Sequence, residues 1–111
     1  MEEWKTKTFK DLEDELYDIA EKFFYAKRVL QIQNSEYLAE EDFANEDSLE
    51  KYLLKVEKAY RNLSEAERNL INNEFFYQSY HQWWKPIYSK ATFYRNKKTA
   101  MQKFLGAFYE A

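Results

Sequence analysis

Six basic residues, Lys85, Lys90, Arg95, Lys97, Lys98 and Lys103, lie with His81 between Glu74 and Glu110, and no Asp or Glu interrupts them. A solvated helix face usually interleaves both signs, so segregation of this kind points to a polyanion such as nucleic acid. The chain as a whole hides it: 17 basic and 20 acidic residues among 111 leave a formal charge of only −3. Residues 1–50 hold 6 basic and 15 acidic side chains, a balance of −9, whereas residues 51–111 hold 11 and 5, a balance of +6. An internal explanation stands beside the polyanion: the basic C-terminal helix can rest against the acidic helix of its own chain.

Other chemistry is scarce. With no Cys there is no thiol nucleophile, disulfide or thiolate metal site. A single glycine, Gly106, excludes phosphate-binding loops, dinucleotide fingerprints and the serine nucleophile elbow, which need several. His81 is the lone histidine, and it lacks the Glu-x-x-His pairing of a di-iron bundle, so a surface or capping role is expected. Glu13, Asp14, Glu15, Asp18 and Glu21 can hold a divalent ion or do acid–base work, but a solvated face opposite an apolar stripe is the expectation. Tyr80, Trp83, Trp84, Tyr88, Phe93 and Tyr94 interleave with the bases. Such rings stack on single-stranded bases or fill the core of a small bundle, and core filling is expected. No nucleophile has a matching base. The chain is expected to be no enzyme, with no cofactor and no metal.

These residues need elements to position them. One Pro and one Gly leave few turn makers for a many-stranded sheet, so the fold class is all-α, a small helical bundle. We expect one domain over 1–111, with an acidic helical hairpin at 1–62 packed on a basic helix-turn-helix subregion at 63–111. Phe9, Leu12, Leu16, Ile19, Phe23, Ala26 and Leu30 step by 3 and 4, placing one apolar stripe on a helix over about 8–33. That stripe serves either a bundle core or the seam of a homodimeric coiled coil, the bundle being expected. A polar loop follows over 34–47. A second helix starts near Asp47 or Ser48 and packs antiparallel through Leu49, Leu53, Val56, Tyr60 and Leu63. Ser64 and Glu67 fit a capping box for a third helix that runs to about Tyr77 and buries Ala66, Leu70, Ile71 and Phe75. A short fourth helix, Ser79 to Lys85, must stop before Pro86. Ser89 caps a fifth, with Tyr94, Met101, Leu105 and Phe108 along its buried side.

Two helices meeting at a short turn are the layout of a helix-turn-helix, whose second helix enters the major groove of DNA. Here that helix opens Ser89-Lys90-Ala91-Thr92-Phe93-Tyr94-Arg95. Its amides suit a phosphate, the small Ala91 admits close approach, Arg95 can fork to guanine, and Lys97 and Lys98 can reach phosphates. The candidate DNA-contacting set is Lys85, Ser89, Lys90, Thr92, Arg95, Lys97 and Lys98.

The stretches Leu63-Ser64-Glu65-Ala66-Glu67-Arg68-Asn69-Leu70-Ile71 and Ile87 through Met101 resemble region 4 of sigma-70-type factors. The tail is also similar to ArpU-type phage late-gene regulators and to small mollicute proteins. The resemblance covers about residues 62–106. It implies that Ser89, Lys90, Thr92 and Arg95 stand at the DNA-facing start of a recognition helix. Departures are a Trp, Trp83 or Trp84, where the family has a small residue, and Lys85-Pro86-Ile87 in the turn. The expected function is that of a DNA-binding or transcription-machinery regulator, with double-stranded DNA or RNA polymerase, or both, as partner. A helical interaction or scaffold protein that binds no DNA is the alternative. The acidic start, Met1 to Lys5, and the lack of any run of roughly 18 apolar residues suggest a cytoplasmic protein without membrane association.

Overall fold

The computed structural model describes residues 7–32 and 46–110; among these, four helices form and no strand. They are α1 (Phe9–Ile32), α2 (Glu46–Arg61), α3 (Glu65–Ile71, continuing as a wider π-helical stretch over Asn72–Phe76) and α4 (Lys90–Glu110). The chain is a small all-α bundle in which the α1–α2 hairpin packs on the C-terminal helices. None of the described helices is long and apolar enough to cross a membrane.

Thr8 and Asp11 start α1 with reciprocal bonds, the Asp11 amide donating to Thr8 Oγ1 at 3.1 Å and the Thr8 amide to Asp11 Oδ2 at 3.4 Å. The stripe then does what its spacing predicts. Leu12, Leu16, Ile19 and Ala26 are buried, and Phe9, Phe23 and Leu30 are half-buried. Their neighbours are α2, α4 and the π-helical stretch. The stripe is therefore packed within the chain, as a bundle core requires. Val56 and Ala59 bury the facing side of α2, and Leu63, just past its end, is buried with them. The polar loop expected over 34–47 lies, up to residue 45, outside the described residues, as does the acidic start.

Ser64 and Glu67 form the expected capping box: the Glu67 amide donates to Ser64 Oγ at 3.2 Å, and the Ser64 amide donates to Glu67 Oε1 at 2.8 Å. Lys103 Nζ on α4 reaches Glu67 Oε2 at 2.9 Å, so one carboxylate ties the start of α3 to α4. Burial works to raise the Glu67 pKa, but the bonds from Lys103 and Ser64 outweigh it and hold the group below its ordinary 4.5. Its stabilisation is thus present above 4.5 and is lost as pH falls through the lowered value of the folded state. Ser64→Ala should cost about 1 kcal/mol in urea unfolding at neutral pH. The stability gap between Glu67→Gln and the parent should narrow as pH drops below 4.5; a constant gap would assign Glu67 no such role.

Leu70, Ile71 and Phe75 are buried as expected, but Ala66 is exposed, because the core side of α3 runs through Glu67, Leu70 and Ile71. The fourth helix does not form. Residues 81–87 make successive turns, closed by bonds such as Trp83 N to Tyr80 O (3.2 Å), Lys85 N to Gln82 O (3.0 Å) and Ile87 N to Trp84 O (2.9 Å). Gln78 and Gln82 adopt left-handed φ values of 25° and 59°, which interrupt a helical path, and Pro86 disfavours helix in the residue before it. The motif expected as a helix-turn-helix is thus α3, an irregular connector over 77–89, and α4. Ser89 caps α4 as expected, its Oγ accepting from the Thr92 amide at 3.2 Å. Met101, Leu105 and Phe108 are buried with Phe93, Ala100 and Phe104. Tyr94 is not: Phe93 takes the inward position, and Tyr94 remains 42% exposed.

Candidate nucleic-acid interface

One side of α4 belongs to the core, so the helix can present only its other side to a partner. Ala91, Arg95 and Lys98, spaced 4 and 3, share an exposed face, and Lys90 is exposed at the helix start. Lys85 and Ser89, at the end of the connector, are exposed beside them. Half-buried Thr92 orders this end: its Oγ1 accepts from Ser89 Oγ at 2.9 Å and from Arg95 Nη2 at 3.4 Å. The Thr92 amide is occupied by Ser89, which removes one of the donors expected for a phosphate. Six of the seven candidate residues thus gather around the first turns of α4.

Lys97 is the exception. It is 4% exposed, and its Nζ lies 2.7 Å from Glu13 Oε2 and 2.6 Å from Glu74 Oε1. Glu74 Oε2 also accepts from Trp83 Nε1 at 2.6 Å. The rings of Phe75, Phe9 and Phe93 surround the ammonium at 5.3, 5.6 and 5.9 Å. Burial penalises the charged form, yet hydrogen bonds and charge from the two glutamates keep the Lys97 pKa above its ordinary 10.5. The phosphate contact expected of Lys97 is therefore corrected to an internal tie between α1, the π-helical stretch and α4. Pairing of the basic helix with the acidic one is realised at this residue. A signal was present in the sequence, since Phe93, Lys97, Ala100, Phe104 and Phe108 form one helical stripe with Lys97 in its middle.

The acidic cluster of α1 divides in the same way. Asp14 and Asp18 lie on the solvated face, in pairs with Lys10 (3.0 Å) and Lys22 (3.1 Å), and Glu21 is exposed. Glu13 and Glu15 instead turn towards α4, where Glu15 Oε1 accepts from the Tyr109 hydroxyl. Burial and that carboxylate push the Tyr109 pKa up.

Trp83 and Trp84 fill the core as expected: Trp84 stacks on Phe93 at 4.5 Å and 10°, and Trp83 meets Phe93 edge-on at 6.0 Å. Tyr80 stays exposed. A groove of about 610 Å³ beside the start of α4 is lined by His81, Gln82, Trp84, Lys85, Tyr88, Ser89, Lys90 and Tyr94. It brings three candidate residues together with aromatic rings, which the periodicity of either flanking helix does not foreshadow. No protein-family model, curated protein or solved structure matches the chain.

Proposed function

We propose that the chain is a non-enzymatic, cytoplasmic DNA-binding module of the transcription machinery, with α4 as the element that meets the duplex. The observation that carries this reading is the set Lys85, Lys90, Arg95 and Lys98: all four are exposed around the first turns of one helix, and none pairs with a described carboxylate. The major groove, about 12 Å wide, admits an α-helix. Small Ala91 lets α4 approach, Arg95 is placed to fork to a guanine edge, and the three lysines reach flanking phosphates. The resemblance to sigma region 4 favours the same end of the same helix, with the irregular connector in place of the first motif helix.

A second reading is docking on RNA polymerase without promoter contact. Tyr77, Tyr80 and Ile87 favour it, being 69%, 71% and 60% exposed on or beside the connector, where large apolar side chains suit a protein partner. Anisotropy with a labelled duplex and capture of purified polymerase subunits on the immobilised chain separate the two. Duplex binding at about 50 mM salt is expected. Capture of polymerase with no duplex binding would replace the first reading by the second.

A further inference from the structure

We propose that the groove beside the start of α4 is a site for one unpaired nucleotide, so that the chain takes single-stranded nucleic acid through a groove that adjoins the duplex-facing side of α4 and shares Lys85 and Lys90 with it. The inference rests on the DNA-binding reading and names a second form of the same ligand. Tyr94 offers its ring at 42% exposure, edge-on to Trp84 at 6.4 Å and 62°. Trp84, fixed by its stack on Phe93, forms the inner wall, and half-buried Tyr88 adds a third ring. Lys85 and Lys90 line the same groove, and none of its described lining side chains is a carboxylate. Rings for a base beside cations for its phosphate are the combination by which single strands are held.

Size and chemistry agree. About 610 Å³ lies within the range of small-ligand clefts, about 300–1,000 Å³, and accommodates one nucleotide. A paired base is hidden in its stack and presents no face to such a groove, whereas an unpaired base exposes both its faces and its pairing edge. Gln82, which lines the groove, has an amide that both donates and accepts and so can meet that edge. Recognition by stacking is tolerant of sequence, so any base is expected to enter.

The test uses the full chain with two probes, an oligothymidylate of about 12 nucleotides and a duplex of equal length, at low salt. Oligothymidylate should bind and quench tryptophan emission through Trp84. Tyr94→Ala should weaken oligothymidylate by about tenfold and duplex by less than about twofold, while Tyr94→Phe keeps both. Lys90→Ala, a surface change that leaves the rings in place, should weaken both probes. Duplex binding without oligothymidylate binding would overturn the groove and leave the α4 reading standing. Equal losses on both probes in Tyr94→Ala would also overturn it. Oligothymidylate binding alone would support the groove and remove the duplex reading, and binding of neither probe would remove both.

Discussion

Lys97→Met should lower folding stability by about 3 kcal/mol, the lower end of the range for removing one partner of a buried ion pair. The loss comes from what stays behind: Glu13 and Glu74 would face each other across a site ringed by phenylalanines, with no cation between them. Their side chains keep 24% and 16% exposure, which permits some rehydration and sets the estimate at the low end. At roughly 4 °C per kcal/mol for a chain of this size, Tm should fall by about 12 °C. Adding Glu13→Gln and Glu74→Gln to Lys97→Met should recover most of the loss, because the stranded charges are then gone. A loss below about 0.5 kcal/mol in the single variant would place the ammonium among ordinary surface charges. Alkaline unfolding gives an independent check. Because the folded Lys97 sits above 10.5, its stabilisation is complete below that pH and is lost as pH rises towards the raised value. The parent should therefore lose stability in that window, and Lys97→Met should not share this part of the loss.

Arg95→Glu combined with Lys98→Glu should abolish duplex binding, a loss of about a hundredfold or more at low salt. Four exposed cations meet the duplex in the proposed complex, Arg95 at a base edge and three lysines at phosphates, and this pair of substitutions brings the net charge of that set to zero. Both side chains are exposed, so stability should change by no more than about 0.5 kcal/mol, and helicity should be unaffected. The contrast with Lys97→Met is the point. Two neighbouring lysines on one helix, Lys97 and Lys98, should divide cleanly into a stability residue and a binding residue. Undiminished duplex affinity in the double variant would move the contact away from α4.

Periodicity made the frame legible. The seven-residue repeat of α1 can be satisfied by one buried face, and Ser64 with Glu67 three residues on specifies a helix start through local hydrogen bonds alone. What it could not show depends on pairing across distance. Glu13 and Glu74 are separated from Lys97 by 84 and 23 positions, and only the packing of α1 and the π-helical stretch onto α4 brings them together. The fourth helix failed for a related reason: Tyr80, Trp83 and Trp84 have helical spacing, yet left-handed Gln78 and Gln82 and the nearby Pro86 interrupt the helical path while both tryptophans still reach the core. The candidate site was legible as a charge run, and five of its seven residues are exposed, with Thr92 half-buried and Lys97 buried. The groove with its rings was not, because it depends on how an irregular connector folds against a helix start.

The most direct test of α4 as the duplex-binding element is the salt dependence of duplex affinity in the parent, Lys98→Ala and Lys97→Met, each at a temperature where it is folded. Three neutralised phosphates predict a log–log slope of about −2.7 for the parent, about −1.8 for Lys98→Ala, and the parental slope for Lys97→Met. Absence of binding at about 50 mM salt, or a slope that follows Lys97 instead of Lys98, would contradict the account.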